Sequence, residues 1–272
     1  MRELLCGRFR LGLDRPRIMA ILNLTPDSFS GDGHHCDHAE ALRHAEQCIA
    51  EGADILDLGG ESSRPGAEPV SVQEELDRVI PVVESLKDCG VPLSVDTVKP
   101  AVMAAAIQAG ASMINDINGL RDPEALSVVA GSNVGLCVMH MQGEPRTMQQ
   151  EPRYEDVVAE VEQFLGRQLD RLHNAGIEKA RITVDPGFGF GKRRGHNEAL
   201  FRDIGRLSAL APVLVGVSRK SVLGAVTGRD VKDRVLPSVV SAVLAVQKGA
   251  AILRVHDVAD TRDALRLLEA FG

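Results

Sequence analysis

The sequence predicts a single (β/α)8 barrel domain over 1–272, and three observations predict it. Eight short apolar runs recur along the 272 residues, with helical patterns between them. Each run stops at polar or glycine residues. No low-complexity stretch, charge block or Ser/Gly linker divides the chain. Eight strand–helix units in a chain of this length fit that barrel, whose C-terminal strand ends carry the active face.

The runs cover 18–22, 55–58, 93–95, 113–114, 135–139, 182–184, 213–217 and 251–255. Apolar on successive residues, they suit strands buried on both faces. Helical patterns follow at 38–51, 73–87, 100–109, 156–174, 197–206, 237–248 and 260–270, with shorter ones near 123–130 and 221–226. In the first, Ala41, Ala45, Cys48 and Ile49 share one face and Gly52 stands past the end. The third opens on Pro100 and stops at Gly110, the usual asymmetry of helix ends.

Composition narrows the function. Hydrophobic residues make up 44% and charged residues 25%, a globular mixture. The net charge of -7 argues against a nucleic-acid partner, and 3% aromatics with no Trp leaves no base-stacking platform. The longest apolar stretch, 239–246, is too short for a bilayer, so no membrane partner is expected. The first ten residues hold no apolar leader core. Five cysteines without a C-x-x-C pair fit a reducing cytoplasm better than a disulfide frame. The cluster His34-His35-Cys36-Asp37-His38 matches no zinc spacing and reads as a loop.

The chemistry lies at the run ends. Asn23 offers an amide oxygen to a phosphate or to Mg2+. The Gly31–Asp37 segment after it reads as a lid. Arg64, in Gly59-Gly-Glu-Ser-Ser-Arg-Pro-Gly66, can grip a carboxylate or phosphate by two parallel bonds. Asp96, Asn115 and Asp185 end three runs. Two carboxylates and an amide around one cavity suit a ligand with an N–H-rich edge, such as a 2-amino-4-oxo heterocycle. The segment Asp185-Pro-Gly-Phe-Gly-Phe-Gly-Lys192 lacks P-loop spacing, and Lys192 is expected in solvent. Ser218-Arg-Lys220-Ser opens a helix in the usual phosphate region of such barrels, although Lys220 also suits a Schiff base. Arg254 and His256 alternate onto one side and form a cation pair for a phosphate group.

These segments, in order, resemble the bacterial dihydropteroate synthases from about Met19 to Val258. The matches are Ile21-Leu-Asn-Leu-Thr-Pro-Asp-Ser-Phe-Ser30, Asp57-Leu-Gly-Gly-Glu-Ser-Ser-Arg-Pro-Gly66, Ser94-Val-Asp-Thr97 and Ile114-Asn-Asp116. Met139-His-Met-Gln-Gly143 with Thr147-Met-Gln149, Asp185 to Lys192, Gly216-Val-Ser-Arg-Lys-Ser221 and Arg254-Val-His-Asp-Val258 complete them. The resemblance implies condensation of 6-hydroxymethyl-7,8-dihydropterin pyrophosphate with 4-aminobenzoate, with Mg2+ assisting, and a homodimer that sulfonamides target. It implies that Asp96, Asn115, Asp185 and Lys220 bind the pterin, and that Asp96, Asp185, Lys220 and Arg254 are catalytic. Asn23, Arg64, Arg254 and His256 would hold pyrophosphate, with Asn23 on the metal. Ser63, Arg64, Phe190, Ser218 and Lys220 would meet aminobenzoate; Phe29 would lie on the first mobile loop and Phe188 on the pocket wall. The implied mechanism releases pyrophosphate before the amine attacks. Three departures stand out: Ser63 for Thr, Ala20 for Gly, and Pro237-Ser-Val-Val240 for Gly-Ser/Thr-Leu-Ala. Three other readings compete: a corrinoid-dependent methyltransferase on the same barrel, a non-catalytic pterin binder, and a Schiff-base aldolase using Lys220.

Overall fold

Two short antiparallel strands, β1 (Glu3–Cys6) and β2 (Phe9–Gly12), precede the barrel in this computed structural model, which describes residues 3–25, 38–64 and 66–272. Phe29, the 31–37 segment and the His34–His35–Cys36–Asp37 part of the histidine cluster lie outside the described residues. Eight parallel strands then close a barrel in sequence order. They are β3 (Arg17–Asn23), β4 (Ile55–Gly59), β5 (Leu93–Asp96), β6 (Met113–Asp116), β7 (Gly135–Met139), β8 (Ile182–Asp185), β9 (Val213–Val215) and β10 (Ala250–Val255), with β10 pairing back onto β3. The expected (β/α)8 fold is therefore the observed one.

Helices cover the outside: α1 (His38–Ala50), α2 (Val72–Leu86), α3 (Pro100–Ala109), α4 (Pro123–Ala130), α5 (Val157–Asn174), α6 (Arg194–Arg202), α7 (Ile204–Leu207), α8 (Ser221–Thr227), α9 (Val235–Gln247) and α10 (Val258–Phe271). Local chemistry sets their ends. Ser71 Oγ accepts from the Glu74 N–H at the start of α2, and Asp156 Oδ1 accepts from Val158 and Ala159 at the start of α5. The single helix expected over 197–206 is instead α6 and α7, because Asp203 leaves helical geometry at φ -107, ψ 21. No helix among the described residues is long and apolar enough to cross a membrane.

Two layers of core fix the barrel mouth. Apolar faces of the helices pack on outward strand residues such as Leu22, Leu56, Val95, Val138 and Val184. At the opposite end, Leu4 and Cys6 of β1 plug the barrel against Met19, Ile55, Met113, Cys137, Leu214 and Ile252. That hairpin, absent from the sequence expectations, closes the floor. The register then sets Asn23 beside Gly59, Gly59 beside Asp96, and Asp96 beside Asn115, one row at the C-terminal rim.

Candidate active site

Side chains alternate along strands, so Asp96 and Asn115 of adjacent strands face the barrel interior together. Asp57, two residues below Gly59, faces the same space and is fully buried. Arg254 of β10 reaches across to this group. Its Nε donates to Asp57 Oδ2 at 2.6 Å and its Nη2 to Asp96 Oδ2 at 2.9 Å. Asn115 Nδ2 also donates to Asp57 Oδ2, at 3.3 Å. One guanidinium thus binds two carboxylates. Burial still pushes the Asp96 carboxyl up to about 7; Arg254 opposes the rise, while Asp57, Asp116 and Glu75 add to it. Asp57 Oδ1 and its register neighbour Ser94 Oγ are buried with no partner among the described residues. The lower mouth therefore keeps open hydrogen-bonding positions.

Asp185 ends β8 on the opposite wall. Its Oδ1 accepts from the Gly187 N–H at 2.7 Å, leaving Oδ2 toward Gly216. A Cβ at Gly216 would lie 3.9 Å from that oxygen and 3.7 Å from Arg254 Cβ, so glycine keeps the space between them clear. Lys220 donates to Phe188 O at 2.6 Å, and its Nζ lies 4.6 Å from the centre of the Phe190 ring. Burial lowers the Lys220 ammonium to about 8 against the pull of Asp185. Burial raises Asp185, and Lys220, the Gly187 N–H, Arg254 and Lys192 oppose that rise.

Lys192 corrects the sequence expectation. It is 3% exposed, not solvated. Its Nζ contacts His140 Nδ1 at 3.0 Å and donates to Phe190 O at 2.9 Å and His140 O at 3.3 Å. Burial lowers its ammonium to about 7, partly countered by Asp185. The same burial, with the Lys192 charge, holds His140 down to about 2, so its ring is neutral. Lys192 therefore fastens the glycine-rich loop from behind while Lys220 fastens it from the pocket. Gly187 permits this packing. At φ 70 it passes so close to β7 that a Cβ would lie 1.9 Å from His140 O.

His256 also departs from expectation. Its Nδ1 lies 3.0 Å from Ser218 Oγ, and its backbone N–H donates to the same oxygen at 3.2 Å. Burial, then the Arg254, Arg219 and Arg64 charges, push its imidazole down to about 4. The expected cation pair is one cation, Arg254, beside a neutral donor ring. Arg64 is exposed and Ser63 half-buried on the loop after β4. Arg219, at φ 57, pairs with Asp257. Asp116 is likewise not part of the site: it faces outward and accepts from Asn118 and Leu120 in its own turn. The site thus unites Asn23, Asp57, Asp96, Asn115, Asp185, Lys220 and Arg254, with Ser218, His256 and Phe190 around it and with Ser63 and Arg64 on the loop after β4.

The class is that of a (β/α)8-barrel protein with carboxylates, an amide and a lysine gathered at the C-terminal strand ends, the active face of such barrels. Residues 19–256 match the family described as pterin binding enzyme. The dihydropteroate synthase of Neisseria meningitidis serogroup B is 49% identical, over 98% of this chain and 96% of its own. Among solved structures, Burkholderia cenocepacia dihydropteroate synthase complexed with 7,8-dihydropteroate superposes at TM-score 0.91. It is 52% identical and covers 98% of this chain and 95% of that one. The Xanthomonas albilineans enzyme with 4-aminobenzoic acid gives 0.93 at 51% identity, covering 99% and 97%. The chain belongs to the dihydropteroate synthase family.

Proposed function

We infer that this chain joins 6-hydroxymethyl-7,8-dihydropterin pyrophosphate to 4-aminobenzoate, giving 7,8-dihydropteroate and pyrophosphate. The observation that carries the reading is the buried mouth where Arg254 bridges Asp57 and Asp96 opposite the Asp185–Lys220 wall. Asp185 Oδ2, Asp96 and Asn115 supply acceptors for the pterin N–H groups, and Lys220 supplies a donor to its ring. The C–O bond at the pterin methylene breaks and its electron pair leaves with pyrophosphate. Asp96 and Asp185 stabilise the cation left behind, while Arg254, Arg64 and the neutral His256 ring receive the departing negative charge. The aminobenzoate nitrogen then forms the C–N bond and gives up a proton to solvent. Ser63, Arg64, Phe190, Ser218 and Lys220 orient that amine, and positioning of this kind is worth about 7–11 kcal/mol. Lys220 Nζ is engaged with Phe188 O, which supports a donor role over a Schiff base.

Mg2+ fits this site as a companion of the substrate. Among the described residues no group of three His, Cys, Asp or Glu gathers for a metal, whereas Asn23 holds an amide oxygen at the rim near Gly59. Mg2+ commonly takes one or two protein oxygens and completes its shell from phosphates and water. Asn23 would hold it, and it would neutralise pyrophosphate charge. A second copy of the chain suits the apolar face of α8 and α9. There Val226, Leu236, Val240 and Leu244 are exposed around a groove of about 470 Å³ that Pro237 also lines. Sedimentation should show a dimer that Leu244→Glu dissociates; a monomeric native protein would remove this assignment. The unpaired Cys6, Cys48, Cys89 and Cys137 favour a cytoplasmic setting.

The test is a coupling assay with both substrates, Mg2+ and radiolabelled 4-aminobenzoate. Labelled dihydropteroate should form, and excess EDTA should stop it. Absence of product with pterin binding intact would favour a non-catalytic binder.

A further inference from the structure

The loop that follows β4 carries Ser63 and Arg64, and its described outer part is held by long contacts, with Gly66 N–H to Pro145 O at 3.5 Å and Arg146 Nη2 to Glu68 Oε1 at 3.4 Å. Arg64 N–H reaches Ser62 Oγ at 3.4 Å, and Ala67 N–H reaches Arg64 O at 3.1 Å. Its neck, by contrast, is heavily fixed. Gly60 lies flat on α2, where a Cβ would come within 2.7 Å of Val79 Cγ2 and 3.0 Å of Glu75 Cγ. Arg78 of α2 donates to Gly60 O at 2.8 Å. Glu61 Oε1 accepts from the Val70 N–H at 3.2 Å, which draws the two ends of the loop together. Glu61 Oε2 accepts from Lys99 Nζ, and the same ammonium donates to Glu75 Oε2. Glu75 is fully buried, and its Oε1 has no partner among the described residues. Among the described residues the Glu75 side chain bonds to Lys99 and to no other side chain.

Lys99 stands three residues past Asp96. Its backbone N–H binds Thr97 Oγ1 at 3.2 Å, and the Thr97 N–H binds Asn115 O at 3.1 Å. One ammonium thus ties the loop bearing Ser63 and Arg64 to the strand ends bearing Asp96 and Asn115. We propose that Lys99, with the half-buried Glu61 and the buried Glu75, forms a clamp of positioning residues that sets the aminobenzoate side of the site relative to the pterin side. The proposal rests on the reading that Ser63 and Arg64 meet the amine substrate. None of the three clamp residues touches either substrate; they act through the loop.

A salt cluster that only stabilises the fold would lower the melting temperature and leave the balance between the two substrates alone. A clamp predicts a split. In steady-state kinetics with both substrates, Lys99→Met should raise the KM for 4-aminobenzoate about tenfold or more and change that for the pterin pyrophosphate by no more than about twofold, as expected for misplacement of one partner only. Lys99→Arg should restore most of the loss, because it keeps a cation between the two carboxylates. Glu61→Ala, at a half-exposed position, should shift the same KM and serves if Lys99→Met does not fold. Folded variants in which neither KM moves, or in which both rise together, overturn the clamp. Ser63→Ala and Arg64→Ala are the reference. If they leave the aminobenzoate KM unchanged, the loop does not hold the amine, and the underlying reading fails along with the clamp.

Discussion

Arg254→Met removes the one cation that two buried carboxylates share. Its nitrogens lie 2.6 and 2.9 Å from Asp57 and Asp96, and it is only 18% exposed. Opposite unit charges about 4 Å apart attract by about 4 kcal/mol at an effective dielectric constant of about 20. Removing one partner of a buried pair usually costs about 3–5 kcal/mol. The Asp96 carboxyl, already up at about 7, then rises further, because Arg254 is what holds it down. At neutral pH it keeps its proton and ceases to be an anionic acceptor. Losing the charged acceptor from the pterin contact costs about 2–5 kcal/mol of binding, and about 3 kcal/mol is an affinity drop of about 150-fold. The assay is calorimetry with a dihydropterin that lacks pyrophosphate, so no phosphate contact to Arg254 enters. The ionised fraction of Asp96 grows with pH, so the deficit relative to the native protein should shrink between about pH 7 and pH 9. No deficit, or one independent of pH, would refute the argument.

Two other predictions concern the supporting structure. Gly187→Ala forces a Cβ onto His140 O at 1.9 Å with φ at 70, and should cost more than about 3 kcal/mol or abolish soluble protein; an unchanged melting temperature contradicts it. His256→Gln tests the depressed imidazole. Because its pKa is about 4 against an ordinary 6.5, the unfolded chain takes up a proton in that window that the folded chain refuses. This group's stability is full above pH 6.5 and is lost as pH falls toward 4, by about 3 kcal/mol. Urea titrations near pH 5 and pH 7 should show the variant losing less than the native protein; equal losses would contradict the assignment.

Much of this was legible in the sequence, for a physical reason. Strands buried on both faces must be apolar on successive residues, so the eight runs declared the barrel, and the polar residues ending them declared the mouth. Asp96, Asn115, Asp185, Lys220 and Arg254 were found that way and do converge. Asp57 was missed because it lies inside a run, where its neighbours Ile55, Leu56 and Leu58 set the pattern. A lone acid amid a buried strand was the available signal. Lys192 was placed in solvent because its partners come from β7, whose approach depends on Gly187. The neutrality of His256 comes first from burial in the closed barrel and then from the charges of Arg254, Arg219 and Arg64, which only folding brings together. The Lys99 clamp is invisible for the same reason: Lys99 and Glu75 look like helix-start charges and Glu61 like a loop acid until three segments pack together. Local pattern finds the rim, but not how its charges divide among themselves.

The proposed function needs a charged acceptor at the end of β8 to hold the pterin. Calorimetry of dihydropterin binding to the native protein and to Asp185→Asn tests it most directly. The amide oxygen of Asn can still accept from the Gly187 N–H, so the loop survives while the charge facing Lys220 is lost. The account predicts a weakening of about 2–5 kcal/mol in a normally folded variant. Native-like affinity in that variant would contradict it.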